Sequence, residues 1–161
     1  MQSIYIQKWP VVSFQMVEGT GMSANPKLIP SKITQEFKTG GVHPGVDIAI
    51  PGHLRDGDAV VVACSDGVVE EVYDAANGRT VVIGHDGGWR SGYVHLQPEA
   101  EGYRHAYAQV GKRVKAGDPL GRMGKDPGDP EGIMHLHFQI GVGEARTPVD
   151  PAPYLMGLTR T

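Results

Sequence analysis

Histidine is the residue type in this chain with the clearest potential for catalysis or metal binding. Seven histidines lie at positions 43, 53, 85, 95, 105, 135 and 137. The segment 134–140 alternates in the manner of a β-strand, which predicts that His135 and His137 point to one face while Leu136 and Phe138 face a core. Two adjacent imidazoles on an apolar strand are costly unless something binds them. The pair therefore indicates a metal or reacting group, with two half-exposed histidines at a sheet edge as the alternative.

A second cluster lies in the segment 41–47, Gly-Val-His-Pro-Gly-Val-Asp. His43 and Asp47 are four residues apart, and Gly45 allows the chain to curl so that both side chains reach one point. A proline-glycine turn with two solvated polar residues is the other interpretation. Together the two clusters supply His, Asp and His, a donor set that suits zinc. Three protein ligands leave one position for water, which is typical of catalytic zinc sites.

The other candidate side chains are less well accompanied. His95 follows Tyr93 by two residues and shares its face if this segment is a strand. It could serve as an acid or base beside a metal, or it could pair with the tyrosine. Three histidines without such company, His53, His85 and His105, are predicted to be surface residues. Cys64 ends an apolar run and is predicted to be a small buried core residue.

The sequence around these residues predicts β-strands. Apolar or alternating runs lie at 59–64, 68–73, 79–83, 92–96 and 134–140, with two short strands within 114–123. Asn77-Gly78 predicts a tight hairpin turn, and the composition of 124–132 predicts a loop. Strands at this spacing predict an all-β sandwich or barrel. Residues 1–40 are less regular, and Pro10, Pro26 and Pro30 suggest an extended arm or two edge strands.

Composition excludes several classes of protein. The 161 residues suit one domain, and a net charge of -3 argues against a nucleic-acid partner. The single cysteine excludes an intrachain disulfide framework, and no apolar stretch is long enough to span a membrane. The N-terminus lacks the pattern of a signal peptide, so we expect synthesis in the cytoplasm or a leader already removed. The motifs of helical zinc proteases, serine hydrolases and P-loop proteins are absent from the sequence.

Three motifs in order, HPGVD, YVHL and HLHF, resemble those of the lysostaphin-type (LytM-type) zinc endopeptidases of peptidoglycan. The family pattern is His-x-x-x-Asp, then Tyr-x-His-Leu, then His-x-His. The flanking segments AVVVACSDGVVEEV, GKRVKAGDPLGRMG and PVDPAPYL are also similar to the family's. The likeness runs from about residue 37 to residue 155.

The resemblance implies a fold and a set of site residues. The fold would be a small, open antiparallel β-sheet with a groove over a zinc ion. His43, Asp47 and His137 would be the zinc ligands, and His95 and His135 would lie beside the metal as catalytic histidines. We expect an arm at 1–36 packed on the core and the zinc endopeptidase domain at 37–161. Loops around Trp89 and at 126–132 are candidate groove walls.

The sequence departs from the family pattern in two places. The segment 52–58 is longer than expected between the first motif and the next strand, and it could lengthen a groove wall. Gln139 stands where the family usually has glutamate after HLHF. Because that residue is not a ligand, we expect a modest effect.

The function implied is hydrolysis of cross-bridges or stem peptides in bacterial peptidoglycan by a zinc-dependent endopeptidase. His95 and His135 would orient or deprotonate water and assist the oxyanion or the leaving amine, with their individual roles open. We expect a monomer that acts at the cell wall, as a phage or bacterial lysin with antimicrobial action. The alternatives are a non-catalytic LytM-like regulatory or wall-binding module and a phosphocarrier domain of related fold.

Overall fold

β-Strands account for nearly all of the regular structure. The computed structural model of the chain describes residues 3–16, 26–50, 59–98, 108–129 and 131–160. These ranges contain twelve strands and one short helix. In chain order they are β1 (Val11–Met16), β2 (Pro26–Ile29), β3 (Lys32–Gln35), β4 (Val46–Ala49), β5 (Ala59–Val62), β6 (Gly67–Ala75), β7 (Gly78–His85), β8 (Trp89–Leu96), β9 (Arg113–Val114), β10 (Pro119–Arg122), β11 (Leu136–Val142), β12 (Thr147–Val149) and α1 (Ala152–Leu155). The predicted all-β class is confirmed.

The strands form two open antiparallel sheets. The larger sheet has the order β3-β4-β11-β8-β7-β6-β9, and β12 also pairs with β11. The smaller sheet has the order β10-β5-β1-β2. Because β4, β11 and β8 are consecutive neighbours, residues far apart in the sequence meet on one surface. The expected open antiparallel arrangement is therefore present, and it brings the three histidine motifs together.

The turn predicted at Asn77-Gly78 joins β6 to β7. Gly78 has a φ of 93°, a left-handed conformation that glycine adopts without a steric cost. Ala75 lies opposite Gly78 at the end of the ladder, so the two strands form a continuous hairpin. The next hairpin, β7 to β8, then places β8 directly beside β11.

The hydrophobic core draws on both sheets. Tyr93 and Phe138 from the larger sheet are fully buried in one cluster with Val11 and Val61 from the smaller sheet. The hydroxyl of Tyr93 accepts a hydrogen bond of 2.9 Å from the backbone N–H of Cys64, just after β5. This bond links β8 of the larger sheet to the segment that follows β5 of the smaller sheet.

Cys64 belongs to this core, as predicted. Its side chain is completely buried, and burial raises the pKa of the thiol to about 11. Because the thiolate is the nucleophilic form, the thiol is inert at neutral pH.

The first 36 residues contribute three strands. In the described ranges β2 and β3 are outer strands of their sheets, whereas β1 lies between β2 and β5. Trp9 is buried in the core, and its indole N–H donates a 2.7 Å hydrogen bond to the Ser31 hydroxyl. The described part of this segment is thus packed on the core. The division into an arm at 1–36 and a domain at 37–161 stays a prediction.

The helix α1 has only four residues. Across the part of the chain that the structure describes, no helix has the length and apolar character needed to cross a membrane.

Candidate metal centre

The centre is built on the pairing of β4 with β11. Asp47 and His137 lie directly opposite each other in the antiparallel register, so their side chains emerge on the same face. Atom Oδ1 of Asp47 lies 3.2 Å from Nδ1 of His137. Both side chains are largely buried, while Phe138, the next residue of β11, points into the core on the opposite face. Strand alternation therefore separates the polar centre from the core.

His43 reaches the same carboxylate from the turn before β4. Its Nδ1–H donates to the backbone carbonyl of Glu36 at 2.7 Å, and its Nε2 lies 3.1 Å from Oδ1 of Asp47. The turn passes very close to β11, since a Cβ at Gly45 would lie 2.3 Å from the carbonyl oxygen of Phe138. Glycine is thus needed here for close approach of two backbones, and not for the curl that the sequence suggested.

His135 lies immediately before β11, and not within a strand as predicted. Its backbone N–H donates to the carbonyl of Gly124 at 3.1 Å, which fixes the approach to the strand. Its Nδ1–H donates to the carbonyl of Ile133 at 2.9 Å, and its Nε2 lies 3.8 Å from Oδ2 of Asp47. His135 and His137 therefore face the same cavity, although only His137 belongs to the regular ladder.

A β-bulge carries His95. In the ladder between β7 and β8, Tyr93 lies opposite Val81, but Leu96 lies opposite Arg79, so β8 contains one extra residue. His95 has a φ of 70°, a left-handed conformation that histidine adopts more often than most residues with a side chain. Bulges of this kind redirect a side chain.

The bulge turns His95 away from the face of Tyr93. The ring of Tyr93 packs in the core, with its centroid 5.4 Å from that of Phe138. The ring of His95 instead lies 4.9 Å from that of His135 and 6.1 Å from that of His137, between centroids. The prediction that His95 shares a face with Tyr93 is therefore wrong. The Nδ1–H of His95 donates to the carbonyl of Asn77 at 2.6 Å, and its Nε2 has no hydrogen bond to any of the described residues.

All four imidazoles are held in the same manner. Each has one ring nitrogen on an oxygen acceptor outside the centre, and three of these acceptors are backbone carbonyls. The fourth is the side-chain oxygen of Gln139, which lies 3.0 Å from Nε2 of His137. A neutral imidazole has only one N–H. In its neutral form each ring therefore carries a lone pair on its second nitrogen, and a metal ligand needs such a lone pair.

Gln139 is the functional candidate that the sequence interpretation undervalued. It follows His137 by two residues in β11, so strand alternation places both side chains on one face. Its side chain packs against Gly92 on β8, where a Cβ would lie 3.0 Å from Cγ of Gln139. Its spacing of two residues from His137 in a predicted strand was the sequence signal that could have identified Gln139.

The donor set fits a zinc ion. One ligand atom from each of His43, Asp47 and His137 lies within 4.8 Å of the others. In their neutral forms His43 and His137 would each direct a lone pair at Oδ1 of Asp47, an arrangement that a cation between these atoms would make favourable. Two ligands on a tetrahedral zinc ion with bonds of about 2.0–2.1 Å are roughly 3.3 Å apart. The observed 3.1 and 3.2 Å are close to that spacing.

The surroundings set the charge states of two groups at the centre. Burial by itself raises the pKa of the Asp47 carboxyl, but the contact with His137 and the charges of His135, His43 and His137 outweigh it, so the pKa is lowered. Burial lowers the pKa of His95, against a smaller opposing effect of its bond to the Asn77 carbonyl. An ionised carboxylate and a neutral imidazole are the forms that metal binding and proton acceptance require.

A cavity of about 250 Å³ opens over the centre. Its lining contains the five predicted site residues together with Gln35, Asp126, Asp129, Gly132 and Ile133. The loop at 126–132 is therefore a wall, as predicted. The prediction for Trp89 is wrong, because Trp89 is buried at the opposite end of β8 from His95.

Three other sequence predictions concern residues away from the centre. His85 is half-buried and not on the surface, since its ring stacks on Trp89 with centroids 3.9 Å apart. His53, His105 and the segment 52–58 lie outside the described residues.

Comparison with known proteins decides the family. The model of peptidase family M23 matches residues 41–151, which hold all three motifs. The chain belongs to peptidase family M23. No curated protein matches the sequence of this M23 family member.

Several solved structures resemble this M23 family member. Csd3 from Helicobacter pylori is 30% identical with a TM-score of 0.56, and the match covers 78% of this chain and 32% of Csd3. The LytM structure from Ruminococcus gnavus is 26% identical with a TM-score of 0.65, over 94% of this chain and 59% of that one. The catalytic domain of the antimicrobial peptidase lysostaphin from Staphylococcus simulans is 29% identical with a TM-score of 0.55, over 78% and 86%. The chain thus spans about a third of the length of Csd3, and the LytM-type resemblance is confirmed.

Proposed function

We propose that this chain is a zinc-dependent endopeptidase that hydrolyses cross-bridges or stem peptides of bacterial peptidoglycan. The observation that carries the proposal is the convergence of four imidazole rings and one carboxylate on a single cavity. Family membership and the likeness to lysostaphin support a peptide of the cell wall as the substrate. Action at the wall, as a phage or bacterial lysin, belongs to the same proposal.

The proposed ligands are Nε2 of His43, the carboxylate of Asp47 and Nδ1 of His137. When bound, zinc supplies a Lewis acid that activates water and polarises the scissile carbonyl. Asp47 supplies one negative charge, and the two histidines are neutral ligands, so the loaded centre keeps a net positive charge. A positive centre suits the negative charge that develops on the carbonyl oxygen in the transition state.

His95 and His135 are the proposed acid–base pair. Each donates Nδ1–H to a backbone carbonyl, which leaves Nε2 as the nitrogen that can exchange a proton, and their ring centroids are 4.9 Å apart. A neutral Nε2 can accept the proton of the attacking water, and the resulting N–H can be given to the leaving amine. The carbonyls that hold Nδ1 also fix the ring orientations, which reduces the reorganisation needed during the reaction.

The presence of all five side chains disfavours the alternatives. A non-catalytic regulatory or wall-binding module has no need for free imidazole nitrogens around a carboxylate. A phosphocarrier would bring a phosphoryl group against Asp47, whose lowered pKa keeps it ionised and repulsive to that group.

The test combines metal analysis with digestion of purified peptidoglycan. We expect one zinc per chain and new peptide termini identified by mass spectrometry. His137→Ala should lose both zinc and activity, whereas His135→Ala should keep zinc and lose most turnover. His85→Ala is the matched control, because His85 lies outside the cavity. Full activity of a metal-free protein would overturn the proposal, and zinc retention by His137→Ala with loss in His135→Ala would reverse the ligand assignment.

A further inference from the structure

A buried glycine, Gly124, lies close to the end of β8, just after β10. The backbone N–H of Gln97 donates to the carbonyl of Arg122 at 2.9 Å. Leu96 and Met123 pair with each other in an isolated antiparallel bridge. These contacts hold the segment that carries Gly124 against the strand that carries the first of the two acid–base histidines.

Gly124 packs directly on the backbone of His95. A Cβ at position 124 would lie 2.7 Å from the carbonyl oxygen of His95 and 3.1 Å from the backbone nitrogen of Gln97. An ordinary contact begins at 3.4 Å, so a side chain here would force one of the two backbones to move. The close approach therefore requires glycine.

The same residue holds the backbone of His135. The carbonyl of Gly124 accepts the backbone N–H of His135 at 3.1 Å. The ladder between β11 and β4 begins at Leu136, so this hydrogen bond fixes His135 before the ladder starts. Gly124 thus connects the backbones of His95 and His135, whose ring centroids are 4.9 Å apart.

A second glycine contacts His95 from the turn between β6 and β7. A Cβ at Gly78 would lie 3.2 Å from Cα of His95, and the neighbouring Asn77 carbonyl accepts Nδ1–H of that histidine at 2.6 Å. Because of the bulge, His95 has no partner in the described ladders of β8 with β7 and β11. Contacts with the two glycines therefore take the place of ladder pairing in fixing its position.

We propose that Gly124 and Gly78 are positioning residues that together set the separation of the His95 and His135 rings. The inference rests on the proposed function, in which these two rings exchange protons with water and the leaving amine. A displacement of about 1 Å at a reacting group can cost about 100-fold in rate. Two residues without side chains thereby control how well the acid–base pair works.

Gly124→Ala tests the proposal, with Gly121→Ala as the matched control. Neither glycine has a left-handed φ, and a Cβ at Gly121 would meet only the movable side chain of Leu96. We expect Gly124→Ala to keep one zinc per chain and an unchanged KM on solubilised peptidoglycan, with kcat lowered about ten- to 100-fold. Nuclear Overhauser effects between the rings of His95 and His135 should weaken in the zinc-loaded variant. Gly121→Ala should match the wild type in all four measurements.

Gly78→Ala provides a second variant in case Gly124→Ala fails to fold. It would displace His95 while leaving the bond between Gly124 and His135 in place. Its control is Gly111→Ala, because Gly111 has a φ of 89°, close to the 93° of Gly78, and nothing lies within 4 Å of its Cβ position. We expect weaker ring–ring effects and a lower kcat in Gly78→Ala and neither change in Gly111→Ala.

The outcomes separate the positioning from the chemistry. Unchanged ring–ring effects in folded Gly124→Ala, or equal losses in Gly78→Ala and Gly111→Ala, would overturn the positioning role. Loss of zinc from Gly124→Ala would also overturn it, since the damage would then extend beyond the acid–base pair. Weaker ring–ring effects in the variants of a protein whose wild type cleaves no peptidoglycan would instead overturn the proposed hydrolysis.

Discussion

Oε1 of Gln139 lies 3.0 Å from Nε2 of His137, so a neutral amide on β11 holds the ring whose other nitrogen faces Asp47. The two side chains are neighbours because both residues belong to β11, where residues two apart lie on the same face. Gln139 thereby selects the tautomer of His137 that can bind a metal through Nδ1.

Replacement of Gln139 by leucine should weaken zinc binding. The loss of an outer hydrogen bond to a ligating histidine typically costs about 10- to 100-fold in metal affinity. Gln139→Glu keeps an acceptor at the same position and should retain the affinity. Competition with a chromophoric chelator measures both variants. Equal zinc affinity of the leucine variant and the wild type would show that the backbone alone orients the ring.

The left-handed conformation of His95 predicts that glycine is more stable than alanine at this position, the reverse of the usual order in a strand. We expect His95→Gly to be more stable than His95→Ala by about 1 kcal/mol, because a Cβ is disfavoured at positive φ. Both variants should lose turnover. Val94 provides the control, since Val94→Gly should be less stable than Val94→Ala, as is usual in a strand. Denaturant unfolding gives all four values, and the same order at both positions would argue against the bulge.

The hydroxyl of Tyr93 should contribute measurably to stability. It accepts the Cys64 N–H and the Ser91 hydroxyl, both at 2.9 Å, in a fully buried region. Tyr93→Phe leaves both donors without this acceptor and should lower the free energy of unfolding by about 1–3 kcal/mol. Tyr73→Phe removes an exposed hydroxyl and should change it by less than about 0.5 kcal/mol. Equal values for the two variants would contradict the role of the buried bonds.

His85 should make stability fall as the solution becomes acidic. Burial lowers its pKa in the folded state, so the unfolded chain binds its proton more readily. Stability from His85 is therefore present above the unfolded pKa, near 6.5, and is lost as the pH falls towards the folded value. Between pH of about 7.5 and 5.5 the wild type should lose more free energy of unfolding than His85→Gln. Parallel losses would mean that the ring titrates alike in both states.

Much of the fold was predictable because its strands are regular. Val60, Val62 and their neighbours form a continuous apolar run, which predicts β5. The dipeptide Asn77-Gly78 favours a tight turn, which predicts the β6–β7 hairpin. The interior position of β1 could not be predicted in this way. Its pairing with Val61 and Ala59 joins residues about 50 apart in the sequence, so no short sequence pattern indicates it.

The sequence predicted which residues line the cavity, but it did not predict how their side chains are oriented. His43, Asp47, His95, His135 and His137 all line the predicted cavity. The orientation of His95 depends on a bulge without glycine, and a pattern of period two cannot reveal an inserted residue. The zinc-binding roles of these residues and the monomeric state stay predictions.

The place of β1 bears on any attempt to shorten this protein to a minimal active fragment. Because β1 lies between β2 and β5, a fragment that starts at residue 37 would lack two strands of the smaller sheet and leave β5 with a bare edge. Such an edge is a template for pairing between copies. The fragment would also lack Trp9 and Val11, which belong to the hydrophobic core. We therefore expect self-association of that fragment on expression, and the useful boundary for engineering lies before Trp9.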